Sequence, residues 1–322
     1  MGTSLTRRTL RGAGAALLAV AIAALMVVAA GCGAGGSSTG SDGPVIAVTT
    51  PILGAAVKDA VGDAATVDVL MPNGADPHEW RPSAKDVARI EGADLIVQNG
   101  LGLESGLTKA IAQASDGGVP VFTAVDHVDV RTVKAGEGAD PTDADQAPGA
   151  KDPHFWTDPT QMRSVVQALP AAVKRATGAD ITTPAAATAA RLTSLDQRAG
   201  TQLDAVPASA RGIVTGHESL GYLARRYNYR VVGAITPSLS SQGQLSAAHL
   251  ADLEAAMKAA GVRVVFTEKG TSPQVAVAIA DATGATVVEL ATEALPADGS
   301  YVTYMDDIAR RIASALANAG GR

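Results

Sequence analysis

The stretch from Pro44 to Gly100, PVIAVTTPILGAAVKDAVGDAATVDVLMPNGADPHEWRPSAKDVARIEGADLIVQNG, decides the fold. Its short apolar runs (PVIAVTT, ATVDVLM, DLIVQNG) read as strands, and the segments between them (LGAAVKDAVG, PSAKDVARIEGA) carry helical spacing, with Ser83 placed as an N-cap. Strand and helix in strict alternation predict a parallel sheet with helices on both faces. The pattern continues through LESGLTKAIAQAS (helix) and PVFTAV (strand). A second alternating set runs from GIVTG near residue 212 to the closing helix YVTYMDDIARRIASALAN. Between the two sets lie a helix in DPTQMRSVVQALPAAVKRAT and a long helical stretch from about Pro184 to Ala205, with leucines at 192, 195 and 203. The expected fold class is α/β: two lobes, each a mostly parallel sheet flanked by helices, joined by one long rigid helix. The boundaries read as an N-terminal lobe at 44–180, a connecting helix at 181–207 and a C-terminal lobe at 208–322.

Inside the opening stretch sits Asp76-Pro77-His78, and the same tripeptide recurs as Asp152-Pro153-His154. Each histidine is followed two residues later by a tryptophan, Trp80 or Trp156, the two tryptophans of the chain. The proline fixes its own φ and biases the preceding aspartate away from helix, so each imidazole is offered from a stiff extended segment. His78 also follows the strand ending near Met71, and ligands of such sheets gather at strand carboxyl ends. A third histidine, His217 in IVTGHESLGYL, sits at a strand end ahead of a helix in the same way. Three imidazoles in equivalent positions point to a shared metal ion. His127 and His249 read as surface or packing residues. Three nitrogens leave a divalent cation one ligand short of four, and the last α/β unit offers Glu268, Glu289 and Glu293 as carboxylate candidates. A nitrogen-rich set leans towards Zn²⁺, with Mn²⁺ as the alternative.

Composition narrows the classes of function. The 322 residues carry 26 basic and 32 acidic side chains, and aromatics make up 3%. Arg7, Arg8 and Arg11 lie in the first 31 residues, which hold no acid. Without them 23 basic residues face 32 acidic ones, a net of −9 that argues against nucleic acid. The N-terminus reads as an export segment: a basic start, an apolar run from about Ala13 to Ala30, and small residues ending at Cys32. Cys32 is the single cysteine, so no disulfide forms within the chain. The residues before it resemble a lipobox, with lipid on Cys32 tethering the mature protein to the outer face of the cell membrane through a Gly/Ser-rich linker at 32–43. Arg7-Arg8 also resembles a twin-arginine signal. Residues 131–151 read as a surface loop.

Four motifs in order carry a resemblance over nearly all of the mature chain. GADPHEWRPSAKD followed by ADLIVQNG, then DPHFWTDP, then HESLGYLARRY, then VVFTEK with IADATG and TYM, resemble the zinc/manganese group of ABC-transporter substrate-binding lipoproteins. The resemblance implies a cation held in the cleft between two lobes, with His78, His154 and His217 as ligands. It implies a fourth ligand in Thr292-Glu293-Ala294-Leu295, where Glu293 stands in place of the family's aspartate and Glu289 is the second choice. Glu268 falls where the family has a structural glutamate. Glu218, Asp76 and Asp152 are candidates for support behind the ligands. Implied partners are ABC permease and ATPase subunits, with a metal chaperone as a further partner; the chain itself is expected to be a monomer and contains no Walker-type phosphate loop.

Two rival classes are weaker. A hydrolytic zinc enzyme needs an open coordination position and a general base, and the HExxH motif is absent. No GxSxG stands at a strand-to-helix turn. A binder of an organic solute would line its pocket with aromatics, and this chain has ten.

Overall fold

The structure, a computed structural model, describes residues 43–134, 147–268 and 272–320. The N-terminal stretch read as an export signal, Cys32, most of residues 32–43 read as a tether, and the middle of 131–151 lie outside the described residues. The first sheet is built from β1 (Val45–Val48), β2 (Thr66–Val69), β3 (Leu95–Gln98) and β4 (Val121–Thr123), in the order β2-β1-β3-β4 and parallel throughout. Its helices are α1 (Pro51–Val61), α2 (Ala84–Glu91) and α3 (Thr108–Asp116). Two helices follow without a strand, α4 (Pro159–Thr177) and α5 (Thr182–Asp204). The second sheet uses β5 (Gly212–Thr215), β6 (Arg230–Ala234), β7 (Val264–Glu268) and β8 (Thr286–Leu290) in the order β6-β5-β7-β8, again all parallel. With it come α6 (Gly221–Tyr227), α7 (Ala247–Ala260), α8 (Pro273–Thr283) and α9 (Tyr301–Gly320). The chain is therefore two α/β lobes of one strand order, with α5 running between them.

The local signals act as their chemistry dictates. Ser83 caps α2 in a reciprocal box: Asp86 N donates to Ser83 Oγ at 3.3 Å and Ser83 N donates to Asp86 Oδ2 at 2.9 Å. Pro51, Pro159 and Pro273 open α1, α4 and α8, where a missing N–H costs nothing. Helix α6 starts later than the sequence reading ESLGYLARRYN suggests. Glu218 N donates to Ser238 O and Ser219 N to His217 O, which holds both residues in a tight turn ahead of the helix.

One apolar cluster spans the molecule, from Ile46 on β1 to Leu316 on α9. Helix α5 is its spine: Leu192, Leu195, Ala199 and Leu203 are buried along one side, and the helix packs on α1, α4 and α9. Both sheets thus rest on a common support, and their carboxyl ends face each other.

Leu195 is fully buried in this spine, whereas Gln197 on the same helix is exposed. Leu195→Ala is expected to lower unfolding stability by about 2–5 kcal/mol in urea titrations, and Gln197→Ala by less than ~0.5 kcal/mol.

Candidate metal centre

Each repeated Asp-Pro-His closes on itself in the same way. Asp76 Oδ1 accepts from His78 N at 2.8 Å, and Asp152 Oδ1 accepts from His154 N at 2.9 Å. This is the turn an aspartate makes with a backbone N–H two residues on. In the second copy the same oxygen also accepts from the His154 ring at Nδ1, at 2.8 Å. The His78 loop is pinned from behind: Arg81 Nη1 donates to the carbonyls of Glu79 and Trp80, both at 3.0 Å. Gly106 lies so close that a Cβ there would stand 2.3 Å from the Trp80 carbonyl.

From the other lobe, His217 follows β5 directly. Thr215 Oγ1 donates to its carbonyl at 2.6 Å, its Nδ1 bonds Glu268, and Glu268 also accepts from Ser219 Oγ. Glu293 stands three residues beyond β8. The carbonyl just before it, on Thr292, accepts from Trp156 Nε1 at 3.0 Å and from Tyr304 OH at 2.7 Å. Tyr301 OH in turn donates to the Trp156 carbonyl at 2.8 Å.

These four side chains converge. His154 Nε2 lies 3.3 Å from His78 Nε2 and 3.2 Å from His217 Nε2, and Glu293 Oε1 lies 3.8 Å from His217 Nε2. One ligand atom from each of the four lies within 4.8 Å of every other. A tetrahedral ion with bonds of about 2.0–2.1 Å sets its nitrogens about 3.3–3.4 Å apart, so the imidazole spacing fits zinc. His154 is fully buried, His78 and His217 nearly so, and Glu293 Oε1 is a buried oxygen without a hydrogen-bond partner. The void beside Glu293, lined by Ile52, Met71, Pro77 and Trp156, is about 10 Å³. That is room for roughly one water and none for an organic solute.

Burial governs the charges. It drives His78 down to about 2, helped by the neighbouring His154 and His217 rings. Burial also lowers His154, against the pull of Asp152. His217 goes the other way: burial opposes its charge, but Glu268 raises it to about 9. Burial pushes Glu293 up to about 8 despite the attraction of His217. At neutral pH the metal-free site therefore holds a protonated His217 against an ionised Glu268, a neutral Glu293, and two neutral imidazoles.

The remaining candidates take separate places. Glu268 sits behind His217 on the Nδ1 side, away from the point where the Nε2 atoms meet. Glu289 is exposed on β8 and outside the group. Asp152 backs His154 and is itself paired with Arg131 at 3.0 Å. Asp76 Oδ2 accepts from Ser241 Oγ of the other lobe at 2.5 Å. Glu218 is buried beside His217. His127 stacks on Phe122 at 4.6 Å, and His249 Nε2 donates to the Ala234 carbonyl at 2.8 Å. Sequence reasoning missed Ser219, Trp156 Nε1 and Asn73, whose side chain bonds the backbone of Leu295. Trp156 was visible as half of a repeat; Asn73 left only a turn signal, Pro72-Asn73-Gly74.

The family described as zinc-uptake complex component A periplasmic, ZnuA, matches residues 46–315. The manganese-binding lipoprotein MntA of Halalkalibacterium halodurans is 26% identical over 292 residues, 88% of this chain and 92% of that protein. The high-affinity zinc uptake system protein ZnuA of Bacillus subtilis is 28% identical over 275 residues, 84% of this chain and 85% of that one. Among solved structures, the periplasmic zinc-binding protein TroA from Treponema pallidum superposes with a TM-score of 0.69 at 24% identity, covering 85% of this chain and 99% of its own.

In the metal-free protein, imidazole NMR is expected to follow His217 through a midpoint of about 9 while His78 stays neutral down to about 2. Glu268→Gln removes the carboxylate that opposes burial, so the His217 midpoint is expected to fall by at least ~1 unit. An unchanged midpoint would contradict the assigned pairing.

Proposed function

The chain belongs to the ZnuA family, and on that premise we propose that it captures Zn²⁺ outside the cell through His78, His154, His217 and Glu293 and hands it to an ATP-driven permease. Its place is that of the substrate-binding component of an ABC importer, and it is not an enzyme. The observation that supports the ligand assignment is the meeting of the Nε2 atoms of His78, His154 and His217 with a Glu293 oxygen: His154 Nε2 lies 3.2–3.3 Å from the other two, and all four atoms lie within 4.8 Å of one another.

Three nitrogens and one oxygen favour zinc over manganese, which takes more carboxylate oxygen. Hydrogen bonds at Nδ1 of His154 and His217 leave Nε2 as the ligand atom and fix each ring. Zn²⁺ entering the site displaces the protons of His217 and Glu293. A dication thus replaces two protons, and the innermost groups keep the same total charge. Among the described residues no helix is long and apolar enough to cross a membrane. Lipid on Cys32, which closes the stretch resembling a lipobox, supplies the attachment to the outer face of the membrane, and the protein works as a monomer. A metal chaperone is a further candidate partner.

Elemental analysis and competitive titration of zinc against manganese, followed by Trp156 fluorescence, test this reading. One zinc per chain that manganese does not displace is the expected result; no bound metal would overturn it. His154→Ala is expected to weaken zinc binding more than ~100-fold, and His249→Ala less than ~3-fold. Calorimetry in buffers of different ionisation enthalpy is expected to show about two protons released per zinc at pH 7, with affinity rising as pH climbs towards 9. Affinity flat from pH 6 to 9 would contradict these protonation states.

A further inference from the structure

Glu293 is held in an unusual way for a ligand. Its Oε1 has no hydrogen-bond partner and lies 3.8 Å from His217 Nε2, beyond hydrogen-bond reach, so the placing of the carboxylate depends on its backbone. That backbone is fixed at two points. On the inner side, the Thr292 carbonyl takes bonds from Trp156 and Tyr304, both buried. On the outer side, Asn73 Nδ2 donates to the Leu295 carbonyl at 2.9 Å, and Leu295 N donates to Asn73 Oδ1 at 2.8 Å. This two-bond pairing joins residues 222 positions apart, one on each lobe. Asn73 lies on the loop that carries His78, and Leu295 is two residues beyond Glu293. The Asn73 pair therefore ties one ligand-bearing loop directly to the other.

The two anchors differ in strength. The Trp156 and Tyr304 bonds lie in the core, where breaking them leaves buried polar groups unsatisfied. Asn73 is exposed, so water takes over its bonds at small cost and this anchor opens first.

We propose that Asn73 is a positioning residue for Glu293, an exposed clasp whose opening limits metal release. The proposal rests on the reading of Glu293 as the fourth ligand. Held closed, the clasp keeps four ligands in place; opened by fluctuation or by a docked partner, it leaves three imidazoles and a faster exit.

Stopped-flow dissociation of zinc into an excess of chelator tests this, with four proteins: unmutated, Asn73→Ala, Glu293→Ala and the double variant. Asn73→Ala is expected to bind one zinc per chain and to release it about tenfold faster, since two exposed hydrogen bonds are lost. Asn73→Asp, which keeps the acceptor and loses the donor, is expected to fall between. In the Glu293→Ala background the Asn73 substitution is expected to change nothing further, because the group it positions is gone. A purely structural role would speed release by the same factor in both backgrounds and would overturn the proposal, as would an Asn73→Ala rate equal to the unmutated one. Failure of the ligand reading looks different. Glu293→Ala would then release zinc at the unmutated rate, or the unmutated chain would bind none, and the clasp would fall with it.

Discussion

Three imidazole nitrogens from different parts of the chain are forced together, those of His78 and His217 within 3.2–3.3 Å of that of His154, inside a site that water barely reaches. Asp152 and Glu268 bind the far nitrogens of two of these rings, which turns their Nε2 lone pairs inward. Lone pairs that converge repel, and only a proton or a cation between them relieves the repulsion. At neutral pH the proton on His217 does so, and a metal ion takes the place of that proton. Much of the fold exists to impose that geometry: the Asp-Pro-His turns stiffen two loops, Glu268 and Ser219 lock the third, and the tyrosines of α9 hold the loop that carries the carboxylate.

Each lobe supplies two of the four clustered side chains. His78 and His154 come from the loops after β2 and β4, and His217 and Glu293 follow β5 and β8. Because both sheets share one strand order, their carboxyl ends are alike, and facing them across α5 brings equivalent loops together. Asp76 after β2 meets Ser241 after β6 in this way. A spine of buried leucines shared by both lobes resists wide opening, since parting the sheets would expose the continuous cluster from Ile46 to Leu316. Motion is cheaper at exposed loop contacts such as Asn73 with Leu295. Capture and release then become events of loop ordering more than of lobe swinging.

Most of the architecture was legible in the chain because it rests on periodic signals. The alternation from Pro44 onward, the cap at Ser83 and the leucines of α5 each express a local rule, and each element formed where its rule applied. The histidines were legible for a different reason: the repeated tripeptide fixes a turn by itself. Among the acids, Glu293 stands with the three imidazoles and Glu289 does not, a difference the sequence does not announce. Glu289 lies within β8, where its side chain takes the exposed face, whereas Glu293 lies past the strand end, where loops gather. The contacts that aim the ligands were not legible. Trp156 with Thr292, Asn73 with Leu295 and Tyr222 with Asp152 join residues 70 to 222 positions apart, and no spacing in the sequence announces such pairs. Strand order within each sheet was equally hidden, since every parallel order yields the same alternation.

One metal ion is expected at the point where the three Nε2 atoms and the Glu293 carboxylate meet. Anomalous diffraction at the zinc edge, from crystals of the zinc-loaded protein, tests it most directly. A single strong peak is expected about 2.0–2.1 Å from Nε2 of His78, His154 and His217, with a Glu293 oxygen completing the tetrahedron. A peak at any other cluster, or a zinc-loaded crystal with no peak between these rings, would contradict it.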